Sequence, residues 1–217
     1  MMTATRKDTH KAWLTDGASY EGKYEFPHVT TTCRSLPLGL IPFEKRNKGN
    51  AFNQWIHFYL DDWRFECVWR NPTRYVDSFR SFAGIITPDY SLYRDFPLCE
   101  QIHNVYRNRA LGYWFGKQGI PIIPNVRWGN KETYEFCFDG IDKNSIVAIG
   151  THGCIQGNEN RHFFVDGLER MVQVLSPHTI IVYGAVPEDI FAPVKKQGIQ
   201  LLPFASYTVQ TRERRAA

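Results

Sequence analysis

A chain of 217 residues with an apolar fraction of 43% has room for one domain, or at most two small ones, and enough buried surface to argue against disorder of the whole chain. Lys and Arg total 26 against 22 acids, a net charge of +4 that admits a nucleic-acid or phosphorylated partner without demanding one. The five cysteines are odd in number and lack a CxxC pair, which argues against a disulfide framework or a zinc knuckle; no stretch reads as a signal peptide or a membrane span. A cytoplasmic protein with no membrane partner is expected.

In chain order, residues 1–26 read as a polar N-terminal tail with a short element around Lys11 to Leu14. Residues 27–206 read as a single α/β domain, and residues 207–217 as a basic polar tail. Pro27, Pro37 and Pro42 make residues 27–50 an irregular lead-in. The first strand is expected over residues 55–60, followed by Asp61-Asp62. Asn71-Pro72 opens a helix, with Asn as cap and Pro in the first turn. A strand over 82–86 precedes a long helix over 96–117, which Gly119 stops before a strand over 120–123. A short helix over 132–138 and a strand over 145–149 follow. Asp166 and Glu169 have capping-box spacing, which places a helix start there. A strand over 179–183, a helix after Pro187 and a last strand over 199–202 complete the pattern. Strand and helix alternate to give a mostly parallel six-stranded sheet, either open and three-layered or partially barrel-like.

Ligands of α/β folds bind beyond the carboxyl ends of strands, so the residues there are the candidate site. Asp62 and Asp89 are candidate general bases or metal ligands, against the plainer reading of turn aspartates. Arg127 offers a planar fork for phosphate, Trp128 a ring to stack on a base, and Asn125 a group to orient ligand or turn. In Thr151-His152-Gly153-Cys154, the histidine can exchange a proton near neutrality. Thr151 and the backbone at Gly150 and Gly153 can approach an anion closely. Cys154 reads as a small buried side chain unless its thiolate is stabilised. Arg107 and Arg109 cannot face the same way; the plain reading is two surface arginines, the functional one that Arg109 reaches the sheet end. His57 reads as structural.

No GxxxxGK[ST] loop, GxGxxG fingerprint, HExxH, GxSxG elbow or EF-hand loop is present. Residues 82–93 (FAGIITPDYSLY), 101–109, 119–128 (GIPIIPNVRW), 136–140 (FCFDG) and 147–153 (VAIGTHG) together form a specific combination. It resembles a family found in phages, prophages and bacteria, domain of unknown function 4417, over roughly residues 35–205. The resemblance implies a mobile-element setting and draws attention to Asp89, Asn125, Arg127, Trp128 and His152, without assigning them roles.

Two classes of function follow. In the first, the protein binds or hydrolyses a nucleotide or other phosphorylated ligand at the strand ends, with Mg²⁺ or Mn²⁺ as the cofactor such a site would take. In the second, the run Lys45-Arg46-Asn47-Lys48 and the arginine-rich tail bind nucleic acid without catalysis. A host-directed protein-binding factor using Trp63, Trp69 and residues 90–93 is a further alternative.

Overall fold

The computed structural model describes residues 8–33, 35–47, 51–207 and 209. The described chain enters through a 3-10 turn at Ala12–Thr15, overlapping the short element expected around Lys11 to Leu14, and a small antiparallel pair, β1 (Tyr20–Glu21) and β2 (Phe26–Pro27). Leu14 and Phe26 from this stretch are fully buried. Next come β3 (Leu40–Pro42), β4 (Trp55–His57), α1 (Glu66–Arg70), α2 (Val76–Arg80), β5 (Gly84–Ile86), α3 (Leu98–Lys117) and β6 (Ile122–Ile123). The last third alternates regularly: β7 (Ile146–Gly150), α4 (Asn158–Leu175), β8 (Thr179–Tyr183), α5 (Glu188–Lys196) and β9 (Gln200–Phe204).

The fold is α/β with parallel sheets, as the alternation requires. The strands are grouped as four, β3-β4-β5-β6, and three, β7-β8-β9, rather than as one sheet of six. A single parallel bridge between Asn125 and Ala148 links the two groups: the Val126 amide donates to the Ala148 carbonyl at 2.8 Å, and the Ala148 amide to the Pro124 carbonyl at 2.9 Å. The inner strands β5, β6, β7 and β8 are continuous apolar runs because both faces are covered, whereas the edge strand β9 is partly exposed. Leu40, Trp55, Ile86, Ile123, Ala148 and Ile181 meet on one face, across both sheets. On the other, Ile56 and Ile85 pack in a cluster with Phe79 of α2 and Leu111 and Phe115 of α3. Val147 and Ile180 pack there with Leu168 of α4 and Phe191 of α5. Each such side chain contributes about 1.5–3 kcal/mol, so truncating Ile181 to Ala at the shared face would cost about 3 kcal/mol.

Four local expectations are corrected. Leu40–Pro42 is not lead-in but an edge strand in parallel register with Trp55–His57, and an edge tolerates the missing amide of Pro42. The helix read over 132–138 reduces to a 3-10 turn, Thr133–Glu135. Asn71 does not cap a backbone amide; its Oδ1 accepts from the Thr73 hydroxyl at 2.8 Å. The Asp166–Glu169 spacing lies inside α4, which begins at Asn158 after Gly157, at φ 73°.

Candidate functional site

The carboxyl ends of β4, β5, β6, β7 and β8 deliver a connected set of polar and aromatic side chains. After β5 the chain runs Thr87-Pro88-Asp89, and after β6 Pro124-Asn125-Val126-Arg127. Both segments leave adjacent parallel strands, which brings Asp89 beside Asn125 and Arg127. Asp89 Oδ1 accepts from Asn125 Nδ2 at 2.8 Å, and Asp89 Oδ2 accepts from Arg127 Nη1 at 3.2 Å. Burial pushes the Asp89 carboxyl above its usual range; Arg127 and the Asn125 amide pull it back in part, and Asp62 adds to the rise. The adjacent carboxylate holds Arg127 firmly protonated despite its desolvation.

Beneath this pair lies a buried polar network from α3. Asn108 Nδ2 donates to Thr87 Oγ1 at 3.0 Å and to the Pro88 carbonyl at 2.7 Å, while the Asn125 amide donates to the same Thr87 oxygen at 2.8 Å. Arg109 is 2% exposed and donates to the Asn108 side chain, to the Cys137 carbonyl at 2.7 Å and to the Asp139 carbonyl at 2.9 Å. Desolvation pulls its guanidinium down to about 10. The surface reading of the arginine pair is thereby corrected. Arg109 braces the site from behind, and Arg107 pairs with Glu66 at 2.7 Å and covers the buried Tyr90 ring at 3.9 Å.

An aromatic wall flanks the pair on the side of β4 and β8. The rings of Tyr59 and Tyr183 stack at 4.8 Å and 11°, and His57 lies 4.3 Å from Tyr183. Gly150 makes room for this stack, since a Cβ there would sit 2.8 Å from the Tyr59 ring. His57 Nδ1 accepts from the Tyr59 amide at 3.2 Å, which places its proton on Nε2. Burial lowers its pKa to about 3, in keeping with a structural histidine. Two buried polar atoms here have no hydrogen-bond partner among the described residues, the Tyr59 hydroxyl and Asn125 Oδ1.

Arg127 reaches past Asp89 into a cleft of about 590 Å³, the size of a small-molecule site. Its side chain is 28% exposed; besides Asp89, its further polar side-chain partner among the described residues is the Cys154 thiol. The Cys154 thiol lies beside it, raised by burial and drawn down by the guanidinium. The opposite wall is the start of α4, where Glu159 and Asn160 accept from Arg94 Nη2 at 3.3 and 3.1 Å. The Arg94 guanidinium lies 4.3 Å from the Phe163 ring centre. No side chain caps the first turn of α4.

The other expected residues take different positions. Trp128 lines the cleft but is only 8% exposed; its ring packs 5.3 Å from Phe164 and over Gly167, where a Cβ would come within 2.1 Å of the indole. Asp62 accepts from the Ser91 amide at 3.0 Å and from its hydroxyl at 2.9 Å, fixing the segment after Asp89. Thr151 Oγ1 donates to the Ala185 carbonyl at 2.8 Å, tying the end of β7 to that of β8. Gly153 lines the cleft, whereas the adjacent His152 is exposed and outside its lining. Arg94, Glu159, Asn160 and Phe163 also line it and were not singled out from the sequence; Tyr93, expected only as part of a protein-binding surface, lines it as well. Among the described residues, no group of three or more His, Cys, Asp or Glu is placed to hold a metal ion. No described helix is long and apolar enough to cross a membrane.

Of the basic run, Arg46 is spent on Phe43, with its guanidinium 4.1 Å from the ring centre and Nη1 donating to the carbonyl at 2.9 Å. Lys48 and the arginines of residues 212–215 lie outside the described residues. Of the proposed aromatic surface, Trp63 and Tyr93 are exposed, but Tyr90 is buried.

The chain is 37% identical over 144 residues to the "Gene 1 protein" of Mycobacterium phage D29, covering 65% of this chain and 53% of that protein. It is 37% identical over 129 residues to the "Gene 1 protein" of Mycobacterium phage L5, covering 59% of this chain and 56% of that protein. The chain thus spans about half the length of these curated relatives. No solved structure matches it. A family profile described as a domain of unknown function, DUF4417, matches residues 18–204, which include the whole of the site, and the chain belongs to that family.

Proposed function

We propose that this protein binds a phosphorylated small molecule in the cleft at the strand carboxyl ends, with Arg127 as its principal anion ligand. The reading rests on one observation above all. A guanidinium is anchored on one edge by Asp89, while its remaining donors lie at a cleft of about 590 Å³. An arginine fixed in this way forms charge-assisted, geometrically selective hydrogen bonds to an oxyanion, and their strength grows as water is excluded. The uncapped first turn of α4 and the glycine backbone at Gly153 add dipoles of favourable sign on the other wall.

In this reading Asp89 is a positioning residue. Both its oxygens are engaged by Asn125 and Arg127, and it orients the fork rather than touching the ligand. Asn125, Thr87, Asn108 and Arg109 hold that pair in place, Thr151 and Asp62 fix the loops around it, and Trp128 forms the wall. His152, exposed next to Gly153, is the group a proton-transfer role would use if the loop closed on a ligand. The test is a thermal-shift screen against inorganic phosphate, sugar phosphates and nucleotides, run on wild type, Arg127→Met and Arg127→Lys. Stabilisation of wild type by phosphorylated compounds, lost in Arg127→Met and weakened in Arg127→Lys, is expected. No shift with any of them would sink the proposal.

A further inference from the structure

The rim of the cleft carries an aromatic surface that an anion on Arg127 leaves unused. Tyr93 lines the cleft and is 51% exposed, and its ring is supported from behind by Phe96, with centroids 4.9 Å apart at 57°. It follows Leu92 at the end of the segment that Asp62 fixes through Ser91. An open aromatic face held against a second ring, within electrostatic reach of Arg127, suits a flat ring attached to a phosphate. Trp128 is too deeply packed to serve this way.

The charges of the lining limit how much anion the cleft accepts. Two cations, Arg94 and Arg127, face two acids, Asp95 and Glu159. Arg94 is already paired with Glu159 and placed over Phe163. Arg127 is paired as well, with Asp89, but keeps donors turned toward the cleft, so one guanidinium is left for ligand, which matches no more than one phosphate group. A triphosphate or a nucleic-acid strand would bring further charges toward Asp95 and Glu159 without cations to meet them.

We infer that the cleft takes a nucleoside monophosphate, with its phosphate on Arg127 and its base stacked on Tyr93. This rests on the reading above that the cleft binds a phosphorylated ligand. Calorimetric titrations of wild type, Tyr93→Leu, Tyr93→Phe and Arg127→Lys test it, with the 5′-monophosphates of adenosine, guanosine, cytidine and thymidine, ribose 5-phosphate and adenosine 5′-triphosphate as probes. At least one monophosphate should bind about tenfold more tightly than ribose 5-phosphate, the gain expected of a single base–aromatic stack. Tyr93→Leu should erase that gap while leaving ribose 5-phosphate unchanged, Tyr93→Phe should keep it, and the triphosphate should bind more weakly than its monophosphate. Equal affinity for monophosphates and ribose 5-phosphate, a gap that survives Tyr93→Leu, or a preference for the triphosphate would each overturn the inference while leaving the anion site at Arg127 standing. Failure of every probe to bind wild type would remove both.

Discussion

Asp89 and Arg127, from segments that follow adjacent parallel strands, form an ion pair at 3.2 Å that places the guanidinium at the floor of the cleft. The carboxylate is almost wholly buried and the guanidinium is not, so the pair turns a buried charge toward a ligand-sized space. Replacing Asp89 with Asn keeps the shape and removes both the orienting charge and the cost of burying it. The expected result for Asp89→Asn is about a tenfold loss of affinity for phosphorylated ligand with a change in folding stability below about 1 kcal/mol. Calorimetry and denaturant melts read the two effects separately. Unchanged affinity would remove Asp89 from the site.

The support beneath the pair is expected to behave in the opposite way. Asn108→Ala strips donors from Thr87 and the Pro88 carbonyl and leaves buried acceptors unpaired. A loss of about 2–3 kcal/mol in equilibrium unfolding should accompany any loss of binding. A variant as stable as wild type would show that the network is not what fixes the strand ends.

His57 gives the fold an acid sensitivity of defined sign. Burial lowers its folded pKa to about 3 from an ordinary 6.5, so the fold favours the neutral ring. Its contribution is fully present above 6.5 and is lost as pH falls from 6.5 through about 3, on the order of 5 kcal/mol at most. Relative to wild type, His57→Asn should show a shallower loss of stability across that window in denaturant melts at a series of pH values. Parallel pH profiles would contradict the assignment.

Gly167 should tolerate no side chain. A Cβ at this position in α4 would stand 2.1 Å from the Trp128 indole, itself wedged against Phe164. Although alanine is the better helix former, Gly167→Ala should destabilise the protein by about 1–3 kcal/mol through overpacking. A raised melting temperature would mean that Trp128 is free to move, and with it the cleft wall.

Much of this architecture is legible in the sequence because the buried strands are continuous apolar runs followed by polar turns. The pattern marks the ends of β5, β6 and β7, and Asp89, Asn125, Arg127 and Gly153 do converge on one region. Short strands leave less trace: Leu40–Pro42 has three residues and ends in a proline. The first turns of α4, Asn158-Glu159-Asn160-Arg161-His162, carry no apolar period, so the helix is read as starting at the later capping-box spacing. That displacement hides Glu159, Asn160 and Phe163, which reach the cleft only because the helix begins early. Trp128 is the converse case. Its place after a strand suggests a ligand contact, and only the absence of a side chain at Gly167 reveals that the ring is packed inward.

The most direct test of the anion site is a titration of isotopically labelled protein with adenosine 5′-monophosphate, followed by amide and arginine side-chain NMR shifts. The Arg127 guanidinium signals and the amides of Gly129, Gly150, Gly153 and Asn160 should move together and saturate, and none of these amides should move in Arg127→Met. Shifts confined to residues away from the cleft, or the same shifts in Arg127→Met, would contradict that site.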